Sequence, residues 1–423
     1  MNRLKNISII FLLSSFLFSF IISCDSTNPK PPEKPPGYQE DIPWPSLADS
    51  PWPMYNHDTQ STGRSYFVGP SLGISQLLIP VKTQSGITCY QKKLFLVNHF
   101  QKSVIQAIDY DGINIWESSD SLIFFDNHST PLVTSEGNII FSSGLSGHLY
   151  SISIDGRFNW KKKFDGRIEQ STATIDLEGN IYFIAGYGSN KLYCISQSDG
   201  SIKWHIYNED FPGWPGTSLS FSPDGKTLYI PGNKKSVYAL DLNSKTLKWS
   251  FGNSTLWSAP LIDSQGNIYL NVKSESSNNK YAYHSLTPEG NIRWLYVHDS
   301  NLNNDPFFDS KGTIDLGGNL YFATDTLYKF DYDGNLKWMN PLNGFCDTPL
   351  ISDLEGSVFI IVENFETASY NVSVRAYSNL GTENWRIDLL SEQEQIGGLT
   401  PIILNNTLIF TPRNTTSNLY KIL

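Results

Sequence analysis

Beyond about residue 80 the chain alternates apolar and polar positions in short runs separated by turn residues, and no stretch keeps the apolar spacing of an amphipathic helix. One phrase returns throughout. Trp116, Trp160, Trp204, Trp249, Trp294, Trp338 and Trp385 recur at intervals of 44, 44, 45, 45, 44 and 47 residues. Each closes a short strand that follows a turn, usually Asp-Gly or Glu-Gly, and that turn follows another alternating strand, as in Ala107-Ile108-Asp109-Tyr110-Asp111-Gly112 before Trp116. A second phrase lies between successive tryptophans: Glu136-Gly137-Asn138-Ile139, Glu178-Gly179-Asn180-Ile181, Gln265-Gly266-Asn267-Ile268 and Gly317-Gly318-Asn319-Leu320. Glycine supplies the positive φ of a tight hairpin turn, and the β-branched and aromatic residues after it form a strand. Each unit therefore holds four strands, A to D, with the Gly-Asn turn joining A to B and the Asp-Gly turn joining C to D. Four antiparallel strands in a period of about 44 residues make one blade of a β-propeller.

The ends of the array set the blade number. After Trp385 come Thr400-Pro401-Ile402-Ile403, Thr407 to Phe410 and Leu419 to Leu423, which read as strands A, B and C without a D. The missing strand stands before the first repeat, where Gly73-Ile74-Ser75-Gln76-Leu77 matches Gly112-Ile113-Asn114-Ile115-Trp116, with Leu77 in the place of tryptophan. An N-terminal strand that completes the last blade closes the ring and leaves no loose sheet end. The expectation is an all-β, eight-bladed propeller over residues 51–423 with a monomeric body.

The tryptophan-ended phrase resembles the repeat of quinoprotein (PQQ-type) propellers, whose fuller form is Ala-x-Asp-x-x-x-Gly-Lys-x-x-Trp. The stretch from Ala239 through Asp241 to Trp249 keeps that length, with Lys245-Thr246 where the pattern has Gly-Lys. The opening Trp52-Pro53-Met54 with Thr62-Gly63-Arg64-Ser65 is similar to the lead-in of stand-alone propellers of this superfamily. Quinoprotein dehydrogenases carry a vicinal disulfide against the quinone, a calcium ion and an aspartate base. No two cysteines are adjacent here, so the resemblance transfers no cofactor residue and implies none. In size, anchor and blade number the chain resembles the B-subunit family of the outer-membrane barrel-assembly machinery, which implies a scaffold.

The N-terminus sets the compartment. Arg3 and Lys5 precede an uncharged apolar run from Ile7 to Ile22, and Ile21-Ile22-Ser23-Cys24 resembles a bacterial lipobox. Residues 1–23 read as a lipoprotein signal peptide and Cys24 as the lipidated residue. Cleavage there takes two positive charges with it and lowers the net charge from −10 to −12. Asp25 leaves the choice between inner and outer membrane open. Residues 24–50, crowded with proline, read as a semi-rigid tether. The acidic balance argues against a nucleic-acid partner, which needs a basic stripe.

Catalytic chemistry is not visible. The seven histidines are scattered, and there is no phosphate-cradling or nucleophile-elbow motif. No metal site is expected. Asp331-Tyr332-Asp333-Gly334-Asn335 resembles the start of a calcium loop but sits at the C to D turn of its blade, so a hairpin accounts for it. Cys89, Cys194 and Cys346 lie in or beside apolar strands and read as buried, with pairing of Cys89 and Cys346 left open. Strand A starts with a near-ring of hydroxyls, Thr88, Thr130, Thr172, Ser218, Thr348 and Thr400, broken by Ala259 and Lys311. Short side chains suit a narrow channel mouth, and a ligand-binding ring is the alternative.

The two faces of the ring differ. A to B and C to D turns share one face and repeat. On the other, the B to C and D to A connections vary, for example Glu117 to Ser129, His205 to Gly216 and Leu295 to Lys311. Variable loops on a rigid frame are where binding resides. They carry aromatic residues beside acids, and the expected binding face is Phe124, Phe125, Trp214, Trp257, Phe307 and Phe308, with Phe211 and Phe345 nearby. The alternative is that such rings fold down between blades. The sequence thus points to a membrane-anchored, non-catalytic module of the cell envelope that binds a protein or peptide. A quinone-dependent enzyme or a ligand sensor using the central channel is the other reading.

Overall fold

The computed structural model describes residues 34–423 except 82, 84, 99–102, 121–128, 145, 169–171, 187, 213–217, 257, 274–280, 299–311, 347, 365–370, 391–400 and 412–417. The chain divides into Met1–Pro35 and Pro36–Leu423, and the second unit holds every strand. Among the described residues there is no helix, and the strands form eight four-stranded antiparallel sheets arranged as a ring. Blade 1 runs outward from the axis as Thr88–Tyr90, Lys93–Val97, Ser103–Asp109 and Asn114–Ser119. Blades 2 to 7 start at the short inner strands Leu132–Val133, Thr174–Ile175, Ser220–Phe221, Leu261–Ile262, Thr313–Ile314 and Ile351–Ser352. Blade 8 consists of Ile402–Leu404, Thr407–Phe410 and Asn418–Ile422, completed by β1, Ser75–Pro80, so the shared blade is present.

The burial pattern follows from each blade packing on two neighbours. Second strands are covered on both faces, as in Asn180–Ala185, where every residue is buried, so continuous apolar runs fit there. Outer strands are wet, and Leu336–Pro341 alternates exposed and half-buried positions. The core therefore runs between blades as clusters such as Ile140, Tyr182, Phe183 and Phe221, with Trp44 and Met54 from the N-terminal segment packed into the same cluster.

Two expectations need correction. A tether running to residue 50 is too long, because the chain is already docked at Gln39, whose N–H donates to Leu316 O at 2.9 Å. From there to Gly69 it lies on the ring. Leu77 is also not the stand-in for tryptophan. The bulge of β1 falls at residue 78, two steps later than in the other blades, so Leu77 turns to solvent at 49% exposure while Ile79 pairs with Leu419. It is the Ile79 Cγ2 that lies where a β-carbon on Gly112 of blade 1 would stand, 3.0 Å away.

Candidate functional site

The inner strand of every blade is a sheet edge, and its unpaired N–H groups need acceptors. The chain supplies them itself. Between Trp52 and Val68 it circles the axis in blade order. The carbonyls of Trp52, Pro53, Thr59, Gln60, Thr62, Gly63 and Val68 accept from the N–H groups of Cys89, Val133, Phe221, Ile262, Ile314, Ser352 and Asn406 at 2.8–3.3 Å. These donors belong to blades 1, 2, 4, 5, 6, 7 and 8. Blade 3 is reached by Trp44, whose Nε1 donates to Ile175 O at 2.8 Å. Tight curvature forces left-handed backbone at Asn56, His57 and Ser61 (φ 51°, 77° and 55°), where a side chain normally resists it. Trp52, Met54, Thr59, Gln60 and Ser65 are buried. Because the donors lie at or just after the ends of the A strands, this axial segment closes the channel on the short-turn face.

Hydroxyls of the inner strands tie the segment sideways. Ser220 Oγ donates to Ser61 Oγ at 3.1 Å, and Thr313 Oγ1 donates to Thr62 O at 2.8 Å. Of the expected near-ring, Thr88, Thr130, Thr172, Ser218 and Thr348 are buried, as is Ala259, and Thr172 Oγ1 accepts from Thr130 N–H at 3.3 Å. Lys311 and Thr400 fall outside the described residues. The alternation of strand residues is the available signal for Ser220, which follows Ser218 by two positions.

The blade tryptophans are staples. In blades 1, 2, 4, 5 and 6 the indole N–H of Trp116, Trp160, Trp249, Trp294 and Trp338 donates to a carbonyl of the next blade, that of Ile154, Gln197, Pro288, Tyr332 and Asn379, at 2.8–3.2 Å. Trp385 donates to Pro70 O at 2.9 Å, just before β1. Each ring covers a C to D turn glycine, and a β-carbon on Gly156, Gly290 or Gly334 would stand 2.5–2.8 Å from it. At the junction lacking that glycine, Lys245 takes the left-handed position (φ 59°) and its Nζ lies 5.6 Å above the Trp204 ring.

A repeated acid escaped the sequence reading. Asp176, Asp263 and Asp315 each accept from the backbone and side chain of the Asn four residues on and from the Tyr hydroxyl six residues on. The pattern Asp-x-x-Gly-Asn-x-Tyr is legible in the sequence and fixes the A to B turn against strand B. Burial raises the Asp263 carboxyl above its ordinary value despite those bonds. Asp331 likewise caps its own turn, accepting from Asp333 and Asn335. Among the described residues no cluster of His, Cys, Asp or Glu could hold a metal ion. None of Cys89, Cys194 and Cys346 is in a disulfide, and burial pushes the Cys89 thiol up to about 12 and that of Cys194 to about 11.

Phe124, Phe125, Trp214, Trp257, Phe307 and Phe308, like Cys24, lie outside the described residues. Two neighbours of the expected face are described. Phe211 is fully buried, edge-on to Tyr238 at 6.0 Å, so it folds down into the frame, and Asp210 beside it accepts from Lys234 N, Lys235 N and Tyr238 Oη. Phe345 is half-buried and bridges Glu363 through its backbone.

A family model described as outer membrane protein assembly factor BamB, of PQQ-repeat type, matches residues 101–252, from the third strand of blade 1 to the end of blade 4. No curated protein matches the sequence. Among solved structures, BamB from Moraxella catarrhalis is similar with a TM-score of 0.56 at 12% identity, over 83% of this chain and 100% of that one. Quinohemoprotein alcohol dehydrogenase from Comamonas testosteroni gives 0.60 at 11% identity, over 88% and 80%. A europium-containing methanol dehydrogenase gives 0.58 at 13% identity, over 86% and 90%. Identities this low speak for the fold alone. Together with the eight four-stranded blades they support an eight-bladed propeller similar to BamB and to the PQQ-type quinoproteins.

Proposed function

We propose that the chain is a protein-binding scaffold of the bacterial cell envelope, anchored by lipid on Cys24 and non-catalytic, which holds out its variable loops to a partner protein or peptide. The observation that carries this reading is the closure of the axis by the chain's own backbone. The short-turn face is repetitive and crossed by the axial segment, and six of the blade junctions are pinned by a tryptophan hydrogen bond. A frame of that kind suits display: the connections that differ between blades are then the parts left to recognise something. Similarity to BamB, an assembly factor by its description, supports the same reading.

The partner face proposed is centred on Phe124, Phe125, Trp214, Trp257, Phe307 and Phe308, aromatic anchors beside acids that suit an apolar and basic patch. Crosslinking in native membranes tests it. Replacing Phe307 and Phe308 by Ser should reduce the captured partner at least about tenfold, the loss of one hot spot, with little change in melting temperature. Cys24→Ala should move the chain into the soluble fraction. Unchanged capture by the double variant, or loss of capture only on substitution of the short-turn face, would overturn the assignment of faces.

A further inference from the structure

The axial segment passes over the short-turn face twice. Residues 39–50 cross from blades 5 and 6 to blade 1, and residues 52–68 then circle the axis. Between the two passes lies a cavity of about 520 Å3, built almost wholly by this one stretch, with Tyr90 and Ser135 from the blades. The first pass contributes apolar surface from Pro43, Trp44 and Leu47, and the second contributes His57, Asp58 and Tyr66.

The polar part is chemically unusual. His57 is only 3% exposed, holds a left-handed backbone and packs edge-on between the rings of Trp52 and Tyr66, at 5.0 and 4.9 Å. Its Nδ1 lies 3.4 Å from Asp58 Oδ2, and its Nε2 is buried without a hydrogen-bond partner. A buried ring nitrogen left in that state is costly unless something that enters the site satisfies it. Asp58 accepts from Gln60 N at 3.1 Å, from Thr62 N at 3.0 Å and from the Thr62 hydroxyl. Burial acts to raise its pKa, but the bonds from His57 and Thr62 outweigh that and hold the carboxyl below its ordinary range. Asp49 adds a second carboxylate to the lining, and among the described residues that line the cavity there is no Lys or Arg. Arg64 touches Tyr66; its Nη2 lies 3.5 Å from Asp41 Oδ1, and its Nε and Nη1 are buried without a hydrogen-bond partner.

We propose that this cavity binds a small organic ammonium ion, a protonated amine carried on an apolar body of phenylalkyl size. The body lies against Trp44, Pro43 and Leu47. The ammonium group sits between the Asp58 and Asp49 carboxylates and the face of Tyr66, and one of its N–H bonds is donated to His57 Nε2. Because both walls belong to one segment, the ligand ties the two passes together and should raise the melting temperature. The site faces away from the variable loops and is independent of what they bind.

The test titrates the full-length chain in detergent with 2-phenylethylammonium and, as a control of similar size and opposite charge, 3-phenylpropionate. Calorimetry should show saturable binding of the ammonium ion, a higher melting temperature in its presence, and no saturation by the carboxylate. Tyr66→Ala, at a ring that is 44% exposed, should weaken binding about fivefold. Asp58→Asn should weaken it about tenfold, and Asp49→Asn, at an exposed position, provides a variant whose folding is not in question. No saturable binding of 2-phenylethylammonium, equal binding of the carboxylate, or full affinity in both Tyr66→Ala and Asp49→Asn would overturn the proposal.

Discussion

The junction between blades 2 and 3 and the junction between blades 8 and 1 meet the same demand with unequal means. At the first, Trp160 is 8% exposed, its Nε1 donates to Gln197 O at 2.8 Å, and its ring covers Gly200. At the second, Ile79 meets Gly112 with a methyl group and has no donor to offer. What holds polar groups together there is Lys421, whose Nζ lies 3.4 Å from Tyr110 O and 3.6 Å from Asp111. A cavity of about 510 Å3 opens beside it, lined by Lys92, Asp111, Asn405 and Lys421. The A to B turns also change character. Gln91-Lys92 and Asn405-Asn406 are two-residue turns with both φ positive, whereas the other blades carry longer turns, capped by the aspartate in blades 3, 5, 6 and 7. The lesson is that a ring closed by a strand from elsewhere in the chain has one seam, and that seam lacks the staple the repeat provides.

The largest effect should come from removing what closes the seam. A chain begun at residue 83 lacks both the axial segment and β1 and should aggregate, because blade 8 is left with an open edge and the inner strands lose their acceptors. A chain begun at residue 36 should melt like the full-length protein. Beginning at residue 70 keeps β1 but discards the backbone acceptors between Trp52 and Val68, and a cooperative transition well below that of the longer chain is expected. If the chains begun at 36 and at 70 melt alike, the axial segment contributes nothing to closure.

Single residues rank next. Trp160→Ala should cost about 3–4 kcal/mol, from a large buried side chain and its hydrogen bond. Ile79→Ala should cost about 1–2 kcal/mol, since less apolar surface is lost at a half-buried site. Urea denaturation of the two variants gives the comparison directly. Equal costs would mean that the seam is as strong as the stapled junctions.

A smaller effect is expected at a stapled junction's turn. Asp331 is partly buried, which acts to raise its pKa, but the bonds from Asn335 and Asp333 hold it below the ordinary value of 3.8. Its contribution to stability is thus present in full above that value and is lost as pH falls through the lower folded one. Asp331→Asn should lower the melting temperature by about 1–2 °C at pH 6. The gap should close as the pH drops below the lowered value of the folded state. A gap that persists there would assign the effect to the shape of the turn rather than to charge.

Much of this architecture is legible in the sequence because the repeat is physical. Tryptophan spacing gives the blade period, and the unfinished last unit with its match at Gly73 gives the shared blade. The place of Ile79 is not legible, because a bulge two residues later shifts which side chain faces the neighbour and leaves no trace in composition. Proline misleads between residues 39 and 53. It cannot donate to a ladder, which suggests a free tether, but its carbonyl still accepts, and Pro53 O takes the Val133 N–H at 2.8 Å. The buried aspartates at Asp176, Asp263 and Asp315 are in plain view, yet their acceptor role shows only when the Asn and Tyr of the following strand are counted with them. The charged and strained group at His57 and Asp58 depends on two passes of chain meeting, which local pattern cannot express.

The pairing of Ser75 with Ile422 is a contact of nearly maximal sequence separation, while every other strand pair is local. Blades 1 to 7 can each form from consecutive residues, so the loop-closure entropy of the whole ring is concentrated in one event. The axial segment can seat its carbonyls only once inner strands of successive blades stand beside each other. It precedes β1 directly, so seating and closure draw on the same short stretch of chain and reinforce each other. Folding should accordingly wait on a late, slow latch, with seven blades formed and the two sequence-distant strands still searching for one another.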